Sequence, residues 1–334
     1  MDHFEGINFS EMWCGIDAAP GYLKPVIKIA TGGTTGSSLA ISGYYHVASG
    51  MYDKVMVIGW EKLNEGGATT GIITAFDPVW ERPSLAGALG PLALMANMYM
   101  NKYNVSPETA AMVTVKNRSN AANNPYAHLQ MPGIDIDYVM KSQVISYPLR
   151  LHDCCPQSEG ACALIYANEK EAKQITDNPA WFHGVGTAHY YTFGTDDVMF
   201  DLPTATIASK KVYKKTGIRN PIKDLDVAEI YEPTSWAELS WTEALGFAEP
   251  GKGGTLLREG ISQMGGELPI NPSGGVLSTN PIGATALVRV AEAALQVMDK
   301  GEKHQVPDVE KALAMGFGGS LWTELMILEN EPMR

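Results

Sequence analysis

Short apolar runs that alternate with glycine turns are the first regularity of this chain. Residues 26–30 form a β-branched run, which predicts a strand, and a glycine turn follows at residues 31–36. Small and apolar residues then recur at helical spacing over residues 37–49, and Gly50 ends this predicted helix. Residues 54–59 are apolar again and predict a second strand. A strand, a helix and a further strand in this order are typical of a parallel sheet.

The same alternation returns in the second half of the chain after a long interruption. Residues 64–150 hold clusters of Gly, Pro and Asn and predict an insertion of loops and helices, with one helix beginning at Ser106 and Pro107. The remaining predicted elements are a buried strand at 161–167, a polar surface connection at 168–177, a strand at 227–231, a helix at 235–245, an amphipathic helix at 281–298 and a strand at 321–328. We therefore expect an α/β protein of two halves, residues 1–170 and 171–334.

The composition indicates a soluble globular protein. Of its 334 residues, 45% are hydrophobic and 19% are charged, which is typical of a chain that folds around its own core. The formal net charge of −12 repels phosphate backbones, so we expect no nucleic-acid partner. Four cysteines without a CxxC pair predict neither a disulfide framework nor a metal site. We find no secretory signal and no apolar run long enough for a bilayer, so we expect a cytoplasmic protein without a membrane partner.

Five glycine-rich segments follow one another in the order and spacing of the motifs of a known family. They read GGTTGSSLAISGYYHVASG at 32–50, HDCCPQSEGACAL at 152–164, EIYEPTSWAELSWTEALGF at 229–247, NPSGGVLSTNPIGAT at 271–285 and MGFGGS at 315–320. The chain thereby resembles the thiolase superfamily over essentially its whole length. Within it, the chain is most similar to the branch of sterol-carrier-protein thiolases, archaeal acetoacetyl-CoA thiolases and steroid side-chain aldolases.

This resemblance implies a thiolase fold, with two similar α/β halves in a five-layered αβαβα arrangement. It also implies a homodimer, an acyl-CoA thioester as substrate, no covalently bound cofactor and a small zinc-ribbon OB-fold protein as partner. The family's first strand and helices normally precede the segment where this chain begins. Either the gene start lies upstream of the first Met, or the fold lacks an outer element and leaves a sheet edge that needs a partner.

Two of the family's catalytic positions fall on glycines. A thiolase places its nucleophilic Cys at the N-terminus of the helix after the first glycine turn, where the helix dipole favours the thiolate. That position is Gly33 in this chain, and the position of the second catalytic Cys is Gly316. Neither glycine can attack a thioester or transfer a proton. Thr34 carries a hydroxyl nearby, but helix capping is the role that its position favours.

The other two catalytic positions fall on polar residues. The Asn or His of the family corresponds to Tyr231, whose hydroxyl can donate a proton or a hydrogen bond to a developing oxyanion. The alternative is a buried tyrosine with a satisfied hydroxyl. The His of the family's Gly-His-Pro turn corresponds to Asn280, which can donate its amide to a thioester oxygen. Asn280 also precedes Pro281 as a helix cap would, and the two roles are compatible.

The resemblance further predicts a substrate-binding surface made of the glycine turns. Its members are Gly33, Thr34, Gly274, Gly275, Gly318 and Gly319. In this scheme Gly33 leaves room for the substrate, and backbone N–H groups of the turns help Asn280 to hold an enolate oxygen. Cys154 and Cys155 lie in a motif that returns the chain to the sheet, so inert, packed thiols are the favoured interpretation.

Three functions remain open at this point. The first is an enzyme that makes or breaks a carbon–carbon bond next to an acyl-CoA thioester. It would work without a cysteine nucleophile and would use Tyr231 to transfer the hydroxyl proton. The second is acyl transfer or thiolysis by an unrecognised nucleophile. The third is a thiolase-like scaffold subunit without catalytic activity, which the loss of the family's catalytic residues favours and the tyrosine at position 231 opposes.

Overall fold

The structure is a computed structural model that describes residues 23–65, 67–85, 87–190, 201–319 and 321–333. Its helices are α1 (Thr35–Ala48), α2 (Ala68–Ile73), α3 (Leu89–Tyr103), α4 (Pro107–Ala121), α5 (Ile136–Met140), α6 (Glu169–Ile175), α7 (Pro203–Thr216), α8 (Pro221–Asp224), α9 (Ser235–Ala244), α10 (Gly253–Arg258), α11 (Gly275–Ser278) and α12 (Ile282–Val297). Its strands are β1 (Lys54–Lys62), β2 (Val144–Ser146), β3 (Leu149–Arg150), β4 (Glu159–Ala167), β5 (Trp181–Ala188), β6 (Val227–Glu229), β7 (Lys311–Gly318) and β8 (Trp322–Glu329). Within these ranges, no helix combines the length and apolar character that a membrane crossing needs.

A four-stranded sheet in the second half of the chain separates two hydrophobic cores. Its strand order is β5-β8-β7-β6, with β6 parallel to β7 and the other pairs antiparallel. Successive residues of β7 point to opposite faces. Leu313, Met315 and Phe317 therefore join one core, whereas Ala312 and Ala314 join the other. Because both faces are buried, helices must cover the sheet on both sides.

Helices form the layers on either side of this sheet. α7 packs against β5 and β8, and α12 packs against β7. α12 also packs against α1, and both of these helices contact the antiparallel pair of β1 and β4. The layers therefore run from α7 through the four-stranded sheet to α1 with α12, and then to the β1–β4 pair. This arrangement brings the start of α1 to the end of β7, where the candidate site lies.

The first half of the chain departs from the expected parallel sheet. β1 pairs with β4 in antiparallel register over its whole length. Residues 26–30 form no strand, and the side chains of Val26 and Ile27 are exposed. The prediction of a parallel unit at residues 26–59 is thus wrong. A strand is stabilised by its neighbour in the sheet, and the local pattern of a segment does not specify that neighbour.

Two strands that the hydrophobic pattern does not predict, β5 and β7, contain glycines at points of close packing. A Cβ atom at Gly186 would lie 2.2 Å from the carbonyl oxygen of Ala208 in α7. A Cβ atom at Gly316 would lie 2.0 Å from the hydroxyl oxygen of Ser37 in α1. Glycine usually weakens a strand, but here it allows a helix to approach the sheet closely. These close approaches involve distant parts of the chain, so the local pattern did not predict the two strands.

The longer helices agree with their predicted positions. α1, α9 and α12 occupy the segments predicted at 37–49, 235–245 and 281–298, with ends that differ by one or two residues. The polar run at 168–177 holds the short helix α6 rather than a simple connection. Asn168 caps this helix, because its side-chain oxygen accepts a hydrogen bond of 3.0 Å from the backbone N–H of Glu171.

A buried ion pair ties α12 to β6. Arg289 Nη1 donates to Glu229 Oε2 at 2.5 Å, and neither side chain is more than 1% exposed. The Ser273 hydroxyl also donates to Glu229 Oε2, at 2.7 Å. Burial raises the pKa of the Glu229 carboxyl, and the positive charge of Arg289 opposes this rise. Since Glu229 lies two residues before Tyr231, the ion pair fixes the strand end from which the candidate site is built.

We expect Arg289→Met to lower the free energy of unfolding by about 3–5 kcal/mol, because it leaves the buried Glu229 carboxyl without its cation. Lys141→Met is the control, since Lys141 pairs with Asp137 on an exposed helix surface and should contribute almost nothing. Urea unfolding followed by circular dichroism measures both variants. A loss for Arg289→Met no larger than that of the control contradicts the role given to the ion pair.

Candidate active site

Tyr231 lies just beyond β6, at the edge of the sheet where β7 also ends. β6 and β7 are parallel, so their carboxyl ends meet at the same edge. The Tyr231 side chain is 5% exposed, and its ring centroid lies 6.2 Å from that of Phe317 near the end of β7. The Phe317 ring in turn packs against Trp241 of α9. An aromatic cluster therefore holds the Tyr231 ring at the carboxyl edge of the sheet.

Polar side chains from three segments form a chain of contacts beside Tyr231. Thr285 Oγ1 of α12 donates to Asn280 Oδ1 at 2.8 Å. Asn280 Nδ2 donates to Cys155 Sγ at 3.1 Å. The Thr285 side chain also interacts with the Tyr231 hydroxyl. Thr285 has one hydroxyl hydrogen, and it donates that hydrogen in the bond to Asn280. The Thr285 oxygen can therefore only accept a hydrogen bond from Tyr231, so the chain of hydrogen bonds runs from Tyr231 through Thr285 and Asn280 to Cys155.

Asn280 is positioned by its backbone. Its N–H donates to the Ser158 hydroxyl oxygen at 2.9 Å, and its carbonyl oxygen accepts from the Ser158 N–H at 3.2 Å. The helix after it begins at Ile282 with Pro281 as its N-cap residue, and no side chain caps it. The interpretation of Asn280 as a helix cap is therefore wrong. Its side-chain oxygen is used by Thr285 instead.

Burial keeps the protons on Tyr231 and Cys155 at neutral pH. It raises the pKa of the Tyr231 hydroxyl, and the neighbouring Cys155 raises it further, against the opposing effects of Thr285 and Arg289. It also raises the pKa of the Cys155 thiol to about 12, with a further contribution from Glu232. The site thus offers a neutral hydroxyl, an amide and a neutral thiol. Such groups donate hydrogen bonds and protons, whereas a nucleophilic thiolate is disfavoured.

Gly33 and Thr34 lie in the Gly32–Thr34 turn, in contact with the end of β7. A Cβ atom at Gly33 would lie 2.8 Å from both Gly318 Cα and the Phe317 carbonyl oxygen. The backbone of β7 therefore fills the volume into which a side chain at Gly33 would point, and the role of this glycine in substrate binding stays a prediction. Thr34 is buried, and its hydroxyl donates to the Thr31 carbonyl oxygen, while its side-chain oxygen accepts no hydrogen bond from an N–H of α1.

The position of the family's second catalytic Cys is equally closed. The Ser37 hydroxyl occupies the place of a side chain at Gly316, and it is 2.6 Å from a carboxyl oxygen of Glu324. Gly319 follows the end of β7, where a Cβ atom would lie 3.0 Å from that of Ala75. Gly33, Thr34, Gly318 and Gly319 are thus brought together by backbone packing of α1 on β7.

Gly274 and Gly275 lie on the other side of Tyr231, next to Glu232. Both have positive φ, of 96° and 64°, which a non-glycine residue rarely adopts. A Cβ atom at Gly275 would lie 2.1 Å from Glu232 Oε1. That oxygen accepts from the backbone N–H of Leu277 at 3.1 Å. These two glycines therefore allow the chain to wrap around the Glu232 carboxyl, while the other four predicted glycine-turn residues line the start of α1.

Two contributors to the site were not predicted from the sequence. Cys155 was expected to be an inert, packed thiol, but its sulfur accepts from Asn280 and lies within the polar chain. Cys154 does fit that expectation, because it is buried and its thiol donates to the Arg150 carbonyl oxygen. Thr285 follows Asn280 within the motif at 271–285. Its position one helical turn into α12 is the feature of the sequence that could have identified it as a contact of Asn280.

Comparisons with known proteins agree on one family. Residues 184–330 match the family described as Thiolase C-terminal domain-like. Acetyl-CoA acetyltransferase of Methanothermobacter thermautotrophicus is 32% identical over 299 residues, covering 89% of this chain and 77% of that protein. Benzoylsuccinyl-CoA thiolase subunit BbsB of Thauera aromatica is 31% identical, covering 86% of this chain and 74% of that protein. Sterol carrier protein 2 of Oryctolagus cuniculus is 31% identical, but this chain spans only 57% of its length.

Solved structures confirm the predicted fold. The Ltp2-ChsH2(DUF35) aldolase has a TM-score of 0.75 and 25% sequence identity, covering 90% of this chain and 78% of that chain. Human mitochondrial 3-ketoacyl-CoA thiolase has a TM-score of 0.68 and 14% identity, covering 92% of this chain and 79% of that chain. The second likeness concerns the fold alone.

We expect Gly33→Ala to lower the free energy of unfolding by about 1–3 kcal/mol, because the added methyl group meets the backbone of β7 at 2.8 Å. Gly90→Ala is the control: it lies in α3 with nothing within 4 Å of its Cβ position, and alanine should stabilise that helix slightly. Urea unfolding distinguishes the two. Equal stability of both variants contradicts the close contact between Gly33 and β7.

Proposed function

Since this chain belongs to the thiolase superfamily, we propose that it makes or breaks a carbon–carbon bond next to an acyl-CoA thioester by an aldolase-type reaction without a cysteine nucleophile. Its relatives include acetyl-CoA acetyltransferases and a subunit of a CoA thiolase, which supports acyl-CoA chemistry. The observation that carries the aldolase-type proposal is the polar chain from Tyr231 to Asn280. It supplies a hydroxyl at the position of the family's Asn or His and an amide at the position of the His in its Gly-His-Pro turn, whereas the two cysteine positions are glycines.

The proposed reaction is written first as bond formation. The enolate carbon of the acyl-CoA attacks a carbonyl carbon of the second substrate, and the carbonyl oxygen becomes an alkoxide. Tyr231 gives its proton to that alkoxide, which yields a β-hydroxyacyl-CoA. The α-carbon loses its proton to solvent when the enolate forms, and solvent returns a proton to the Tyr231 oxygen after the transfer, so the protons balance and the tyrosine is neutral again. A tyrosine whose pKa is raised by burial begins with its proton in place, as this step requires.

Cleavage is the reverse of the same transfer. Tyr231 first releases its own proton to solvent, and its oxygen then takes the proton of the β-hydroxyl. The carbon–carbon bond breaks, its electron pair moves onto the thioester as an enolate, and the α-carbon takes a proton from solvent. Asn280 Nδ2 has two hydrogens, of which one is directed at Cys155. The other is available to the enolate oxygen, together with backbone N–H groups of the glycine turns. The reaction needs no cofactor covalently bound to the protein.

The proposed working form is a homodimer that also binds a small zinc-ribbon OB-fold protein. Support for a second protein comes from the similar aldolase structure, which is named for two proteins, Ltp2 and ChsH2(DUF35). Activity assays should therefore be made with and without such a partner. If no β-hydroxyacyl-CoA or β-ketoacyl-CoA is turned over in either case, the chain acts as a scaffold subunit and the enzymatic proposal fails.

A second candidate function is acyl transfer with Cys155 as the nucleophile. It is favoured by one observation, the contact between Cys155 Sγ and Asn280 Nδ2, which puts a thiol inside the site. The raised pKa of about 12 opposes it, because only a very small fraction of this thiol is ionised at neutral pH. A substrate or a partner would have to lower that pKa by several units before the sulfur could attack a thioester.

We expect Tyr231→Phe to lower kcat by about two to four orders of magnitude, the usual contribution of a positioned acid or base. The fold and the binding of coenzyme A should change little, because only a hydroxyl is removed. Tyr45→Phe is the control, since Tyr45 is 54% exposed on α1. Steady-state kinetics on a β-hydroxyacyl-CoA that the parent protein cleaves gives the answer. Wild-type turnover by Tyr231→Phe would mean that the assigned proton transfer is wrong.

Cys155→Ser separates the two candidate functions. In the aldolase-type reaction the cysteine only accepts a hydrogen bond, so the variant should keep turnover within about tenfold of the parent. Loss of all turnover, or a covalent acyl group on Cys155 seen by mass spectrometry, would favour acyl transfer. Iodoacetamide labelling of Cys155 should also be slow at pH 7 and rise steadily beyond pH 9, because the thiolate forms only as the pH approaches about 12.

A further inference from the structure

Arg118 of α4 is a buried cation with most of its hydrogen-bonding capacity unused. Its side chain is 1% exposed. Nη2 donates to the Cys154 carbonyl oxygen at 3.3 Å, whereas Nε and Nη1 have no partner in the structure. A guanidinium has five N–H donors, and Nε and Nη1 carry three of them. An unpaired charge in a protein interior is costly, so an arginine in such a place normally has an anionic partner.

The acidic side chains near Arg118 do not supply that partner. Glu238 is in an ion pair with Lys116, at 2.6 Å. Glu232 is the acid that acts on Arg118 electrostatically, but burial raises the pKa of its carboxyl to about 8, with Glu238 adding to the rise. Glu232 is therefore largely protonated at neutral pH. Within the described part of the chain, the positive charge of Arg118 remains uncompensated.

Arg118 adjoins the site on the side of Cys155. Its guanidinium interacts electrostatically with both Cys155 and Glu232. Cys155 holds the Asn280 amide, and Glu232 is the residue after Tyr231. Arg118 therefore binds the carbonyl of the residue next to Cys155, on the side of the site where Cys155 holds the Asn280 amide.

We infer that Arg118 binds a carboxylate of the acyl group, so that the substrate is the coenzyme A thioester of an acid with a second, free carboxyl group. This inference rests on the proposed function, because it places the acyl group beside Asn280. A guanidinium pairs with a carboxylate through charge-assisted hydrogen bonds, which are stronger than those between neutral groups. The carboxylate would supply both the missing charge and the acceptors for Nε and Nη1.

Binding of two freshly prepared thioesters of equal length, measured without a second substrate, tests the inference. Succinyl-CoA and butyryl-CoA both carry four-carbon acyl groups, and the terminal carboxylate is the main difference between them. We expect calorimetric titration of the full chain to show a Kd for succinyl-CoA that is lower by about tenfold or more. Arg118→Gln should abolish that preference, whereas Arg118→Lys, which keeps the charge with fewer donors, should retain part of it.

Arg258→Gln is the control, because Arg258 is an exposed arginine on α10. It should keep the wild-type preference. Equal affinity of the wild-type protein for the two thioesters overturns the inference without any variant, so a folding defect in Arg118→Gln does not leave it undecided. A preference that survives in folded Arg118→Gln overturns it as well, because the carboxylate would then be bound elsewhere.

A failure of both thioesters to bind would count against the proposed function instead. The anion site is then decided by succinate alone, measured as a rise in Tm. A rise in the wild-type protein and in Arg258→Gln, but not in Arg118→Gln, supports the site at Arg118. No rise in the wild-type protein overturns it.

Discussion

The close contact between the Gly32–Thr34 turn and the end of β7 is the constraint on which the candidate site depends. At Gly33 the neighbouring strand leaves no space for a side chain, and at Gly316 the Ser37 hydroxyl fills that space. The two positions that carry sulfur in a thiolase are thus closed by the same packing of α1 on β7. Any chemistry at this edge of the sheet has to come from the residues after β6 and before α12.

Those residues form a site whose groups are neutral at rest. Tyr231 is buried and Cys155 is partly buried, and their raised pKa values follow from the cost of charge in an environment with little water. The charges that do exist nearby serve the scaffold, as in the pair of Arg289 and Glu229 that anchors the strand end before Tyr231. Arg118 is the exception, since two of its three guanidinium nitrogens have no hydrogen-bond partner among the residues that the structure describes. The unpaired charge of Arg118 costs stability, whereas the carboxylate binding that we propose requires it.

The sequence was most informative where residue type alone carries the constraint. The amphipathic pattern predicted α12, and the apolar run at 227–231 predicted the buried strand before the site, which in the structure ends at Glu229, two residues before Tyr231. The pattern failed at residues 26–30 and in β7, because strand pairing and the close approach of a helix are set by distant parts of the chain. The family and the fold were predicted correctly from the order of the glycine motifs.

The site was harder to predict than the fold for the same reason. Tyr231 and Asn280 follow from their motif positions, but the thiol of Cys155 reaches Asn280 from a segment 125 residues away in the chain. Arg118 gave no signal, since a single arginine on a helix is normally expected to face solvent. A motif in the sequence can identify one residue of a site. It does not identify the side chains that the fold brings next to that residue.

The direction of the polar chain has a consequence for how a ligand would enter. In every link the hydrogen bond is donated in the direction of Cys155. The last acceptor is a thiol sulfur, which accepts hydrogen bonds only weakly. The Asn280 amide is therefore directed at a poor acceptor. An oxygen atom that replaced the sulfur as acceptor would break only the weakest hydrogen bond of the chain. The Asn280 donor is thus held in a fixed direction by a hydrogen bond that costs little to exchange.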